Sequence, residues 1–342
     1  MIDLSKVIAL NKIAKAMVAP PKGVLAADES DKTIAKRFES VGVESTEANR
    51  ITYREMFLAT PRMEEFISGV ILYDETIRQN GSDGRPFVKI LQDKGVIPGI
   101  KVDKGTNSFN GSSEEKITKG LEGLPERLKE YYEMGARFGK WRAVITIGEN
   151  IPTKDCIAEN AQRLAQYASD CQNAGIVPIV EPEVLMDGSH TIERCEEVTL
   201  ETLTEVFRQL KEKGVELSGM VLKPNMVLPG KECSVQANSK QVAEATLRVF
   251  KQAVPKEVPG IAFLSGGQSD EEATENLNEI NKIPGSPWEL SFSYGRALQM
   301  TALKTWKGKP ENIKQAQAEF YKRARLTSLA RIGLYDLSME RE

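Results

Sequence analysis

Short apolar runs rich in β-branched residues alternate along this chain with longer stretches whose apolar positions recur every three or four residues. Eight runs occupy residues 23–28, 69–74, 99–103, 141–147, 176–183, 220–224, 261–266 and 290–295. They do not alternate cleanly between apolar and polar, which predicts strands buried on both faces. The stretch 157–171 carries the helical spacing. Ile157, Ala161, Leu164, Ala168 and Cys171 fall on one face, and Asn173-Ala174-Gly175 follows as a C-terminal cap. Cys171 is thereby a predicted core residue. Ser269 with Glu272 three positions on predicts a capping box that opens the helix after the seventh run.

Eight strands, each followed by a helical pattern, predict an α/β fold with a parallel sheet closed as a (β/α)8 TIM barrel. An open doubly wound sheet is the competitor, but the chain has no glycine-rich dinucleotide turn after its first run. Residues 1–21 predict an added N-terminal helix ending at Pro20-Pro21. Residues 310–331 predict a C-terminal helix with Pro310 at its first position, followed by a short tail to residue 342. No linker divides the chain, so 1–342 is expected to be one catalytic domain.

Composition then narrows the function. The chain has 342 residues, 40% hydrophobic and 28% charged, with a net charge of −3. That balance argues against general nucleic-acid binding, which needs clustered excess cations. The longest uncharged stretch, 258–269, has twelve residues. A membrane span needs about 20 apolar ones, so no membrane span is expected. The first residues lack the basic and apolar blocks of a secretory signal. A single histidine, His190, excludes sites built on several His ligands. Cys156, Cys171, Cys195 and Cys233 form no C-x-x-C pair and read as free thiols of a reducing cytoplasm.

Barrel enzymes carry their sites at the C-terminal ends of the strands. Here those ends are charged: Asp28, then Lys101 and Asp103, Lys140 and Arg142, Glu181 and Glu183, and Lys223. Strand residues two apart share a face. Charge inside a strand-rich core costs several kcal/mol unless it is paired. Salt bridges closing the barrel are the bland reading of any one pair. Both signs converging from five strands mark a candidate site. Lys223 sits in an apolar setting, Met220-Val221-Leu222-Lys223-Pro224. Burial and a neighbouring cation such as Lys140 would favour its neutral, nucleophilic form, which can make a Schiff base with a carbonyl. A plain salt bridge from Lys223 to Glu181 is the rival role. The seventh and eighth runs end in Ser265-Gly266-Gly267 and Ser293-Tyr294-Gly295-Arg296, the two strand ends where barrels often hold phosphate. His190, in Asp187-Gly188-Ser189-His190, reads as a surface-loop residue, and the tryptophans and tyrosines as packing.

At these residues the sequence resembles the class I, Schiff-base fructose-bisphosphate aldolases, from about residue 5 to 332. The resemblance is carried in order by Leu25-Ala26-Ala27-Asp28-Glu29-Ser30, Gly84-Arg85-Pro86-Phe87, Gly99-Ile100-Lys101-Val102-Asp103-Lys104-Gly105 and Lys140-Trp141-Arg142. It continues through Pro178-Ile179-Val180-Glu181-Pro182-Glu183, Leu222-Lys223-Pro224-Asn225-Met226, Phe263-Leu264-Ser265-Gly266-Gly267-Gln268-Ser269 and Ser293-Tyr294-Gly295-Arg296-Ala297-Leu298-Gln299.

The resemblance implies roles one position at a time. Lys223 matches the Schiff-base lysine. Glu181 matches the carboxylate that moves protons during carbinolamine dehydration, with Glu183 its hydrogen-bonding neighbour. Lys140 matches the second lysine near the reacting carbonyl. Asp28 matches the carboxylate that orients the nucleophile and the C4 hydroxyl. Ser265, Gly266, Gly295 and Arg296 match the C1-phosphate site. Ser30, Lys101 and Arg142 match groups near the C6 phosphate, Thr33 stands where the family often has serine, and Arg37 matches a further basic phosphate-site residue.

The implied reaction is reversible cleavage of fructose 1,6-bisphosphate into dihydroxyacetone phosphate and glyceraldehyde 3-phosphate, with no metal or other cofactor. The implied assembly is a homotetramer. Sedoheptulose 1,7-bisphosphate and fructose 1-phosphate are alternative substrates, and a non-catalytic barrel scaffold is the alternative of another class. Familiar eukaryotic members extend further, to a terminal tyrosine thought to help protonate the enamine. This sequence ends Tyr335-Asp336-Leu337-Ser338-Met339-Glu340-Arg341-Glu342. The expectation is that another group protonates the enamine, or that the step is slow.

Overall fold

This computed structural model describes residues 3–341. In chain order, α1 (Leu4–Met17) precedes β1 (Gly23–Ala27), and α2 (Asp31–Glu39) and α3 (Glu47–Leu58) follow it. Then come β2 (Ile67–Leu72), α4 (Asp74–Ile77), α5 (Phe87–Asp93), β3 (Ile97–Lys101), β4 (Thr106–Ser108), β5 (Lys116–Thr118), α6 (Leu124–Glu133) and β6 (Phe138–Ile145). The second half runs α7 (Lys154–Asn173), β7 (Val177–Val184), α8 (Ile192–Glu212), β8 (Val221–Leu222), α9 (Ser239–Ala253), β9 (Gly260–Phe263) and α10 (Asp270–Lys282). It closes with β10 (Glu289–Tyr294), α11 (Arg296–Trp306) and α12 (Ile313–Ala330).

Eight of these strands are parallel and close in the order β1-β10-β9-β8-β7-β6-β3-β2. Each expected run lies on one of them, so the (β/α)8 barrel is borne out and the open sheet is not. The closing seam pairs Val24 with Ser293 and Leu25 with Tyr294, joining the first and last strands. Among the described residues no helix is long and apolar enough to cross a membrane.

Strand alternation builds two cores. Val24 and Ala26 face the barrel interior, where they meet Ile71, Phe138, Val177, Ile179, Val221 and Ala262. Leu25 and Ala27 point the other way into the layer between strands and helices. The amphipathic α1 sets Leu10, Ala14 and Met17 against the interior cluster and plugs the N-terminal end of the barrel. The Phe138 ring needs glycine opposite it, because a side chain on Gly99 would overlap the ring.

Several local expectations shift for physical reasons. The sixth run shortens to Val221–Leu222. Pro224 has no N–H to continue the ladder, and the Lys223 N–H makes the last bond, 2.8 Å to the Val180 carbonyl. The helix around 157–171 extends to Lys154–Asn173, with Thr153 capping its start and Gly175 in the left-handed region (φ 76°) beyond its end. The Ser269–Glu272 capping box forms as expected. At the C-terminal helix, Pro310 opens a single 3-10 turn, and α12 starts at Ile313. The antiparallel hairpin of β4 and β5 is an addition to the expected elements: its strands have three residues each, β4 polar and exposed, β5 partly to fully buried, and three residues are too few to carry a periodic apolar signal.

Candidate active site

The ends of β1, β3, β6, β7 and β8 bring the predicted charges together. Asp28, Lys140, Glu181 and Lys223 are between 3% and 8% exposed. Lys140 Nζ lies 2.6 Å from Asp28 Oδ2 and 3.4 Å from Glu181 Oε2, while Glu181 Oε1 lies 3.3 Å from Lys223 Nζ. The four groups form a chain, Asp28–Lys140–Glu181–Lys223, with two charges of each sign.

The two lysines are driven apart by their surroundings. Burial pushes the Lys223 amine below its ordinary value, Glu181 opposes that, and Lys140 adds to it. Burial also acts on Lys140, but Asp28 and Glu181 together outweigh it and hold Lys140 above the ordinary lysine range. Burial raises the Asp28 and Glu181 carboxyls, yet Lys140 and Lys223 overcome it, so both titrate below the usual carboxylate range. The arrangement therefore contains one lysine kept as a cation beside another biased toward a free amine. Such divergence marks acid–base and nucleophilic assignments. The salt bridge from Lys223 to Glu181 and the nucleophile reading of Lys223 are thus compatible: a single carboxylate at 3.3 Å does not cancel the desolvation.

Two adjoining cavities open around this chain. One, of about 1040 Å³, is lined by Asp28, Ser30, Thr33, Arg37, Lys101, Lys140, Arg142 and Gly295 among others. The other, of about 440 Å³, is lined by Glu181, Glu183, Lys223, Ser265, Gly266 and Arg296 and shares Thr33, Arg37, Arg142 and Gly295 with the first. Every candidate site residue from the sequence thus lines one cavity or both. In the smaller one, the β9 loop comes close to β7: a side chain on Gly266 would begin 2.6 Å from Glu183 Oε1. Gly295 leads straight into α11, so backbone N–H groups at a helix N-terminus face the same space as the Arg296 guanidinium. Arg142 pairs with Glu183, and Lys101 with Asp103. An incoming phosphate dianion would compete for both cations.

Other expectations are amended. His190 is half-buried rather than a free surface residue: its ring nitrogens are shielded from solvent, and burial holds its imidazole below the ordinary value. It lines neither cavity. Trp141 and Trp306 are buried packing residues as expected, but Tyr73 and Tyr131 line the larger cavity. Tyr335 is buried away from both cavities, its hydroxyl donating to Glu340 Oε1 at 2.8 Å and its N–H bonded to Asn278 of α10.

Sequence reasoning passed over Ser293, which lines the smaller cavity, and the buried set Glu29, Arg54 and Gln299. Glu29, Ser293 and Gln299 stand inside stretches already singled out. Arg54 lies mid-helix, 25 positions from Glu29, and no spacing rule connects them.

Comparison with known proteins agrees with this geometry. A sequence model of the glycolytic class-I fructose-bisphosphate aldolases matches residues 9–342. A protein of Xanthomonas campestris named "Probable fructose-bisphosphate aldolase class 1" is 55% identical over 95% of this chain and 97% of its own. A protein of Arabidopsis thaliana named "Fructose-bisphosphate aldolase 6, cytosolic" is 53% identical over 92% of this chain and 88% of its own. Among solved structures, fructose-bisphosphate aldolase from Plasmodium falciparum, crystallised with TRAP and a small-molecule inhibitor, superposes with a TM-score of 0.97. It is 48% identical, covering 98% of this chain and 97% of that one. A barrel with buried lysines and carboxylates at its mouth, matched over nearly its whole length, belongs to the class-I fructose-bisphosphate aldolase family.

Proposed function

We propose that this chain is a lyase that cleaves fructose 1,6-bisphosphate reversibly through a Schiff base on Lys223. The observation that carries the reading is the buried chain Asp28–Lys140–Glu181–Lys223, set between two cavities that share cationic walls. The Lys223 amine attacks the C2 carbonyl of the open-chain sugar. The carbinolamine loses water, with Glu181, 3.3 Å from the nitrogen, supplying and accepting the protons, and leaves an iminium. The iminium is the electron sink. Asp28 takes the C4 hydroxyl proton, the C3–C4 bond breaks, and glyceraldehyde 3-phosphate departs. The enamine left on Lys223 is protonated at C3, and water releases dihydroxyacetone phosphate and the free amine. Lys140 remains a cation throughout and stabilises negative charge near the carbonyl oxygen.

Ser265, Gly266, Gly295 and Arg296 hold the C1 phosphate, with Ser293 beside them. Ser30, Thr33, Lys101 and Arg142 receive the C6 phosphate, and Arg37 stands where the cavities join. Two separate cationic ends support a bisphosphate over fructose 1-phosphate. The enamine proton comes from a group other than Tyr335, which is held by Asn278 of α10 and by Glu340 in the C-terminal 3-10 turn. The iminium supplies the polarisation, so the enzyme is expected to turn over in a chelator. Residues 1–342 act as one catalytic unit, a homotetramer of the cytoplasm.

Initial rates with 1 mM-scale EDTA on fructose 1,6-bisphosphate, sedoheptulose 1,7-bisphosphate and fructose 1-phosphate test the reading. The expected order places the bisphosphates ahead of the monophosphate. Faster turnover of fructose 1-phosphate would remove the C6-phosphate assignments, and no turnover of any sugar would favour a scaffold.

A further inference from the structure

We propose that Glu29 is a positioning residue: clamped between two guanidiniums, it fixes Arg37 at the junction of the cavities so that a phosphate meets a donor already oriented. The inference rests on the reading of Arg37 as a phosphate-site residue. Glu29 lies two residues beyond the end of β1, next to Asp28, and is buried. Its two carboxylate oxygens serve different partners: Oε1 takes Arg37 Nη1 from α2, and Oε2 takes Arg54 Nη1 from α3. Arg54 Nη2 also donates to the Glu29 carbonyl at 3.1 Å. On the other side of Arg37, Nη1 donates to Gln299 Oε1 of α11 at 2.6 Å, and Gln299 Nε2 reaches the Ala26 carbonyl of β1 at 3.3 Å. Arg37 is thus tied to the end of β1, to α3 through Glu29, and to α11.

All of these ties use Nη1. Nη2 lies 3.8 Å from where a side chain on Gly295 would begin, so it faces the loop assigned to the C1 phosphate. The charge balance points the same way. One carboxylate between two guanidiniums leaves a net charge of +1. Arg54 is buried behind the cluster, while Arg37 lines both cavities, so the excess charge emerges at Arg37. A guanidinium held in this way has already lost its rotamer freedom before a dianion arrives, and its Nη2 edge is left toward the phosphate loop. Stapling α2 to α3 would need only the ion pairs, not a second anchor from α11 that aims the same guanidinium.

The test uses inorganic phosphate as the probe and two variants. Glu29→Gln is expected to weaken phosphate binding by calorimetry, and to raise KM for fructose 1,6-bisphosphate, by about tenfold, with kcat within about twofold. Borohydride trapping of phosphate-free dihydroxyacetone on Lys223 should be unchanged. Gln299→Met frees Arg37 from the opposite side without touching the buried ion pairs, and should give the same pattern at roughly threefold. Unchanged phosphate affinity in folded Glu29→Gln, or a loss of kcat alone, overturns the proposal. If Glu29→Gln does not fold, Gln299→Met decides, and unchanged phosphate affinity there overturns it. Phosphate affinity is read without turnover, so a wild-type protein that binds phosphate but is never trapped on Lys223 would count against the aldolase reading and not against this one.

Discussion

The two halves of the barrel interior are built from the same strands and differ in almost everything else. On β7, Ile179 points inward and packs in the apolar cluster that α1 covers, while Glu181, two residues on, points the same way into the charged mouth. The same step separates Phe138 from Lys140 on β6, Val221 from Lys223 at β8, and Ala26 from Asp28 at β1. Each of these four inward columns is apolar at its N-terminal position and charged two residues on. The lower half stabilises by excluding water, with about 1.5–3 kcal/mol for each large side chain fully buried. The upper half spends stability, since its charges are desolvated and only partly repaid by pairing. What it gains is a lysine whose ordinary protonation is disfavoured. The lesson is one of division: a plugged apolar floor supplies the rigidity that lets a costly charged roof be held in place.

That division can be broken from either side. The largest effect is expected from Lys223→Met, which should abolish turnover by roughly 10⁴-fold or more while the fold persists, because Glu181 keeps Lys140 as partner. Steady-state kinetics with a thermal melt reads both. A variant that retained turnover would remove Lys223 from the mechanism. The floor should respond in the opposite way: Phe138→Ala leaves a cavity between Gly99, Gly69 and α1 and should cost about 3–5 kcal/mol in denaturant unfolding, with turnover per folded molecule within a few fold. Equal loss of activity and stability in that variant would show the halves to be one unit.

Lys140→Met sharpens the comparison within the roof. It removes the cation that pushes Lys223 down and leaves Asp28 and Glu181 free to push it up. The neutral amine is present above its pKa, so the acid limb of Schiff-base formation should move to higher pH, with turnover falling roughly 10²- to 10³-fold. A limb that stayed put or moved to lower pH would contradict the electrostatic account. The smallest effect is expected outside the barrel. Tyr335→Phe deletes one hydrogen bond to Glu340 and should leave hydrogen exchange at C3 of dihydroxyacetone phosphate within about twofold. Loss of that exchange with Schiff-base formation intact would make Tyr335 the proton donor.

The floor and the roof were not equally legible in the sequence. The strands could be found because residues such as Val24, Val70 and Val180 are apolar on both faces of the sheet, and the charges at their ends stood out against that background. Positions such as Glu181 and Glu183 could be paired from parity alone. Their roles came from the family resemblance, since parity cannot say which lysine is pushed toward the free amine; that depends on Lys140 having two carboxylate neighbours and Lys223 one. The set Glu29, Arg54 and Gln299 stayed hidden because its members meet through three separate elements. The hairpin of β4 and β5 stayed hidden because strands of three residues, one of them wholly polar and exposed, are too short to leave a pattern.

The central claim is that Lys223 is the nucleophile. Mixing the protein with dihydroxyacetone phosphate and a chelator, reducing with borohydride, and mapping the adduct by peptide mass spectrometry tests it directly. A reduced triose-phosphate adduct on Lys223 is the predicted result. An adduct on Lys140 or any other lysine, or none at all, would contradict it.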